Sequence, residues 1–165
     1  MQNGMLKMKE ITNIRIAGLG GMGVLKATLI LGEVLFEEGF DVKKAEVHGM
    51  AQRGGSVSSD VRFGKRVKSP MIPAGRVDYL LSLEPEWSDA HKVDLRDGGI
   101  VISPADFDVS KLPNIKGLNV AALGVLSKHL SYIPRDRWQS VLHKLFPEKL
   151  WESNDIAFKL GRGEL

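Results

Sequence analysis

"ITNIRIAGLGGMG", residues 11–23, decides how this chain is to be read. Ile11 to Ala17 reads as a buried strand. It runs into Gly18-Leu19-Gly20-Gly21-Met22-Gly23, which fits G-x-G-x-x-G. The next stretch, "VLKATLILGEVLFEEGF", predicts a helix. Leu25, Leu29 and Phe36, with Leu31 and Leu35, recur at helical spacing, and Gly39 stands where a C-terminal cap glycine belongs. A glycine turn between a strand and a helix is the context that a phosphate-binding fingerprint needs. Its first glycine would permit the turn, its second admit a ligand to the backbone, and its third let helix and strand pack closely. The helix N-terminus would offer free N–H groups to a phosphate. Equally, three glycines can serve packing alone, and the pattern by itself supports both readings.

Further along, "DVKKAEV", "SVSSDVRFG", "VDYLLSLEP" and "GGIVISP" read as four more strands. The third of the five alternates in strand fashion, and the fourth is nearly all apolar, as an interior parallel strand should be. "PEWSDAHKVDLRD" reads as a helix between the last two strands. The final third turns helical, with an apolar stripe in "NVAALGVLSKHL" and Pro134 in a first-turn position of "PRDRWQSVLHKLF". This order implies a Rossmann-like α/β fold: one domain over residues 1–165, with an open, mostly parallel sheet and helices on both faces.

Composition narrows the function. Hydrophobic residues make up 43% and charged residues 26% of 165 residues, which is ordinary for a soluble globular domain. A net charge of +3 without a dense basic stripe argues against nucleic acid as a partner. The absence of cysteine excludes thiolate-held iron–sulfur clusters, Cys-type zinc sites and cysteine nucleophiles in this chain, and suits a reducing cytoplasm. "MQNGMLKMKE" has no secretory h-region, and no apolar run is long enough to span a bilayer, so no membrane partner is expected.

The densest chemistry lies in "EVHGMAQRGGSVSSDVRFG", residues 46–64. His48, Gln52 and Arg53 crowd beside Gly54, Gly55 and Ser56, with Arg62 further on. Each has a bland reading: a structural histidine, a solvated arginine, glycines that only turn the chain. Together they follow strand two as the glycine turn follows strand one, so both belong to the carboxyl edge of the sheet, where ligands and partners dock. There, His48 could exchange a proton, and Arg53 could hold a carboxylate or phosphate in a two-pronged fork. The residues Gly18, Gly20, Gly21 and Gly23 would lie beside them as a phosphate contact. With no nucleophile–base pair and no carboxylates at metal-ligand spacing, no residue is assigned as catalytic and no metal site is expected. Glu46, at the end of strand two, leaves open a free-standing NAD(P)-dependent reductase, and the glycine turn a nucleotide-binding regulatory module.

The glycine turn, the block from His48 to Arg62 and "SPMIPAGRVDYLLSLEP" together resemble the gamma-type component of 2-oxoacid:ferredoxin oxidoreductases, and most nearly the indolepyruvate type. Gly98-Gly99-Ile100-Val101-Ile102, Asn119 with Leu123-Gly124, and Asn154, Ala157-Phe158 and Gly161 extend the likeness over nearly the whole chain. Two departures stand out. Met22 occupies a place where the family usually has glutamine, and Ala51 one where serine is common. The stretch from Pro104 to Asn119 is also short, which implies a sheet smaller at one edge. The resemblance implies an accessory subunit of an enzyme that decarboxylates a 2-oxoacid on thiamine diphosphate, sends electrons through iron–sulfur clusters to ferredoxin, and passes the acyl group to coenzyme A. Thiamine diphosphate, Mg and clusters would be held by larger partner chains, and His48, Gln52, Arg53 and the glycine turn would line or brace the shared site. No cofactor is expected on this chain alone.

Overall fold

In the computed structural model, residues 9–48 and 55–165 are described, without the side chains of Val47, His48 and Trp87. The strands are β1 (Ile11–Leu19), β2 (Asp41–His48), β3 (Ser56–Gly64), β4 (Val77–Ser82) and β5 (Leu95–Ile102). They form one sheet in the order β2-β3-β1-β4-β5. The pairs β1–β4 and β4–β5 are parallel, whereas β3 runs antiparallel to both β1 and β2. Four strands therefore share a direction, as an open, mostly parallel sheet requires, and β3 is the reversed one. The cause is local: β2 turns back through a short connection into β3, which slots between β2 and β1 instead of crossing over.

Helix α1 (Val24–Glu37) follows the glycine turn and ends as expected. Gly39 takes φ 89°, and the N–H groups of Gly39 and Phe40 donate to the carbonyls of Phe36 and Leu35. This pair of hydrogen bonds closes the last turn and needs a residue that tolerates the left-handed conformation. The expected single stripe divides, however. Leu31 and Leu35 are buried with Val24, Ala27, Ile30 and Val34, while Leu25, Leu29 and Phe36 are exposed. A helix apolar on nearly all sides offers i+4 spacing to its outward face as well as its inward one.

The helical layers are unequal. α1, α3 (Leu118–His129), α4 (Arg135–Leu145) and α5 (Trp151–Gly161) cover the face carrying Ile14 and Ile16. α2 (Pro85–Lys92) lies on the other face, beside β4 and β5. Helices do occupy both faces, but the second face combines a small apolar cluster of Ala17, Val77 and Leu80 with buried ion pairs. Arg15 forks onto Asp60, Nε to Oδ1 at 2.7 Å and Nη2 to Oδ2 at 2.9 Å, and its Nη1 reaches Asp94 at 2.5 Å. Asp78, 2% exposed, binds the ammonium of Lys9, Arg96 Nε and the Asn13 backbone N–H. α3 is buried all round from Leu118 to Ser127 and meets α5 so closely that glycines are required at the contact. Pro134 stands one place before α4, as its N-terminal cap residue. Residues 104–117 form three single-turn 3-10 helices and add no strand, so the sheet ends at β5.

Candidate functional site

The carboxyl edge of β1 is built from the backbone outward. Leu19 pairs with Ser56 and Gly18 with Val57, and the N–H of Gly20 donates to the Gly55 carbonyl at 3.0 Å. The glycine turn and the start of β3 are thus one hydrogen-bonded unit. Because β2 ends at His48, opposite Val57, the ends of β1 and β2 converge on the N-terminal end of β3. The ends of β1 and β2, from which the two loops leave, share this edge. The side chain of His48, and residues Gln52, Arg53 and Gly54, lie outside what the structure describes.

Within the turn the glycines have distinct duties. A Cβ on Gly18 would sit 3.1 Å from Val24 and 3.2 Å from Leu83, so this glycine, rather than the third, lets helix and strand close up. Gly23 precedes α1 in the left-handed conformation, φ 83°, and faces α3. Its carbonyl accepts from Asn119 Nδ2 at 3.1 Å and from Ala27 N at 2.9 Å. Gly21 is also left-handed, φ 89°, with open space where a side chain would stand. Met22 does not leave its position idle: its sulfur accepts the Leu19 N–H at 3.3 Å and steadies the turn.

We expect Gly23→Ala to cost stability. The new methyl would meet Asn119 Nδ2 at 2.4 Å while forcing a positive φ, a strain of about 1–2 kcal/mol before any clash. Thermal melting checks this. A variant as stable as the parent would mean that α3 does not brace the turn.

Two grooves flank Gly21. One, of about 310 Å³, runs between the turn and α1 and is lined by Leu19, Gly20, Val24, Leu25, Lys26 and Val57. The other, of about 330 Å³, lies over the ends of β1 and β4 and is lined by Met22, Leu83, Pro85, Pro104, Val109, Ile115, Lys116 and Leu118. Both are mainly apolar. The cation of the first groove is turned away, since Lys26 Nζ donates to the Leu145 carbonyl at 2.8 Å and rests over the Phe146 ring. Apart from Lys116 at the second groove, this surface presents free backbone and apolar side chains, and it suits an apolar partner better than a bare phosphate. Among the described residues no group of three His, Asp or Glu is placed to hold a metal ion.

Arg62 does not belong here. It lies six residues along β3 from Ser56, roughly 20 Å at strand rise. There its Nε donates to Asn13 Oδ1, and its Nη1 to the carbonyls of Ser69 and Met71, pinning the loop before β4. Glu46 is also displaced from the role a dinucleotide enzyme would give it. Its strand is separated from β1 by β3, about 10 Å across two strand spacings. A ribose-binding acid belongs on the strand next to β1, so the reductase reading loses its acid. Sequence reasoning did not foresee Asn119 beneath the turn. The available signal was one amide inside an otherwise apolar helix, which calls for a dedicated buried acceptor.

The family model described as "Pyruvate ferredoxin/flavodoxin oxidoreductase" matches residues 13–118. The chain is 33% identical to "Indolepyruvate oxidoreductase subunit IorB" of Thermococcus kodakarensis, over 93% of this chain and 95% of that one. In three dimensions it is similar to the gamma subunit of a keto/oxoacid ferredoxin oxidoreductase from Geobacter sulfurreducens, with TM-score 0.77, 22% identity, and 93% and 97% of the two chains covered. It is also similar to part of the 2-oxoglutarate:ferredoxin oxidoreductase from Magnetococcus marinus solved with 2-oxoglutarate, coenzyme A and succinyl-CoA bound. That likeness has TM-score 0.77 at 19% identity and covers 94% of this chain and 31% of the longer one.

Proposed function

The chain belongs to the pyruvate ferredoxin/flavodoxin oxidoreductase family, and from that premise we propose that it is the small accessory subunit of a thiamine-dependent 2-oxoacid:ferredoxin oxidoreductase. The assembled enzyme decarboxylates a 2-oxoacid, transfers the acyl group to coenzyme A and delivers electrons to ferredoxin. Larger partner subunits hold thiamine diphosphate, Mg and the iron–sulfur clusters. This chain cannot ligate a cluster through thiolates, having no cysteine. Its identity to the indolepyruvate subunit along nearly the full length of both chains favours an aryl 2-oxoacid as substrate. The enzyme works in the cytoplasm, and no described helix is long and apolar enough to cross a membrane.

The observation that carries this reading is the make-up of the carboxyl edge. Two apolar grooves meet at a glycine turn, and the exposed Leu25 continues the first of them onto the outer face of α1 with Leu29. Such a surface supplies shape and backbone to a site whose reactive groups come from elsewhere. Gly18, Gly20, Gly21 and Gly23 form its floor, with Gly55 and Ser56 beside them; the role proposed for His48, Gln52, Arg53 and Gly54 is contact with the partner.

Anaerobic copurification on a tag placed on this chain tests the proposal. A large, brown, cluster-bearing chain is expected, with 2-oxoacid-dependent ferredoxin reduction by the complex and none by this chain alone. Turnover by the isolated chain, or its tight binding of NAD(P), would refute the accessory role. Within the complex, Arg53→Ala is expected to weaken assembly or turnover by about 2–5 kcal/mol, as when one member of a desolvated ion pair is removed. Arg53→Lys restores only part, because a point charge cannot reproduce the fork. Normal assembly and rate in Arg53→Ala would make this residue an ordinary surface charge.

A further inference from the structure

A cavity of about 170 Å³ opens near the amino end of the sheet, where Thr12 stands at the start of β1. None of its lining residues borders the carboxyl-edge grooves. It is smaller than the roughly 300–1,000 Å³ of sites for drug-sized ligands, so it admits a group of few heavy atoms. Two cations line it, Lys9 and Arg96, against one carboxylate, Asp78. That buried carboxylate is engaged at both oxygens: Oδ1 accepts from Lys9 Nζ and Arg96 Nε, and Oδ2 from the Asn13 N–H. Neither cation pairs with another carboxylate among the described residues, so one unit of positive charge is left over. Arg96 Nη1 donates to the Asp97 carbonyl, and Nη2 has no acceptor among the described residues. Three hydroxyls complete the wall, those of Thr12, Tyr79 and Tyr132, and none has a hydrogen-bond partner among the described residues. Tyr132 is partly open to solvent, yet burial pushes its phenol up to about 12; burial also raises Tyr79, so both keep their protons and remain donors. The C-terminal end of α3 lies alongside, with His129 against Tyr79 and Leu130 in the cavity wall. It brings about half a negative charge, less than the surplus it faces.

We propose that this cavity binds a small oxyanion, a carboxylate or a phosphate, paired with Lys9 and Arg96 and accepting from the hydroxyls of Tyr79, Tyr132 and Thr12. Every polar side chain of the wall except Asp78 can donate, and the one charged acceptor is already taken. The anion supplies the second negative charge that two cations sharing one carboxylate lack. The site lies at the other end of β1 from the glycine turn and does not rest on the accessory-subunit reading, so either can fail without the other.

Nitrogen-resolved NMR of the full chain tests it, with inorganic phosphate and acetate titrated separately against chloride at constant ionic strength. The Arg96 Nε–H signal is expected to shift saturably, and the tighter-binding probe identifies the source as phosphate or carboxylate. Tyr132→Phe keeps the ring and loses only the hydroxyl, and should weaken binding about three- to tenfold. Lys9→Gln removes the surplus charge from a half-exposed side chain and should weaken it about three- to fivefold. Asp78→Asn should act in the opposite direction, tightening binding about tenfold, because it frees both cations for the anion. If Asp78→Asn fails to fold, the Tyr132→Phe and Lys9→Gln titrations still decide. A linear shift that chloride matches means an adventitious ion only and overturns the proposal. So does saturable binding left unchanged by Tyr132→Phe or by Lys9→Gln, or an Asp78→Asn protein that folds and binds no tighter.

Discussion

Replacing Gly161 by alanine is expected to disrupt the helical layer. A Cβ at this position would stand 1.8 Å from the Ala121 carbonyl oxygen, 2.8 Å from its carbon and 3.0 Å from Val125 N. These are backbone atoms of α3, and no rotamer change can move them aside. The contact is reciprocal, since a Cβ on Gly124 would lie 2.3 Å from the Phe158 oxygen. The helices must separate, and α3 is buried on every side, so separation opens the core around Trp138 and Phe158. Overpacking against backbone on this scale costs about 3 kcal/mol or more. For a domain of this size, that lowers the melting temperature by roughly 6–12 °C. Gly163→Ala is the control: φ is 72° there, but the space is open, so only the left-handed strain of about 1–2 kcal/mol applies. Equal melting temperatures for the two variants would mean that α3 and α5 do not touch as described.

Arg15→Met should be comparably damaging for a different reason. Asp60 is 7% exposed, and the Arg15 fork is the bond that makes its burial tolerable. Removing one partner of a buried pair leaves an uncompensated charge and costs about 3–5 kcal/mol. The guanidinium is held charged by its bonds to Asp60 against the opposing effect of burial, with Asp94 adding to the same direction. Replacing both partners, Arg15→Met with Asp60→Leu, removes the stranded charge along with its partner, and most of the lost stability should return. Urea denaturation of the single and double variants measures this. A double variant as unstable as Arg15→Met would show that the loss comes from packing of the arginine stem, not from the carboxylate.

The five strands were legible because each is a short apolar or alternating run bounded by turns, and the Gly39 cap because its chemistry is local. Strand order was not legible. Nothing in "DVKKAEV" or "SVSSDVRFG" says that the second of them will pair with both β1 and β2, since pairing is settled by which edge is free when the chain returns. The same limit explains Arg62. In sequence it stands near Arg53 and Ser56, but a strand separates its ends in space, and Arg62 is spent on Asn13 and two loop carbonyls at the opposite edge. Met22 was read only as a departure from the family's usual glutamine, and sequence did not show that its thioether accepts the Leu19 N–H within the turn. Leu25 and Leu29 were read as part of one apolar set with Leu31 and Leu35, because a helix with apolar residues on most faces hides which face turns outward.

The reversed strand also bears on the order in which the molecule assembles. β2 and β3 are joined by a short connection, and such hairpins close in microseconds, whereas β1 must wait across all of α1 before any left-hand neighbour reaches it. The β2–β3 ribbon can therefore arrive at β1 already paired, and docking it completes the two pairings on that side of the sheet in one event. Its registration against β1 is keyed at Gly64, where any side chain would strike the Glu10 carbonyl oxygen at 2.2 Å. The connection from His48 to Ser56, which carries the residues proposed to meet the partner, is thus tied at both ends by a single ribbon whose place in the sheet is keyed at its far end.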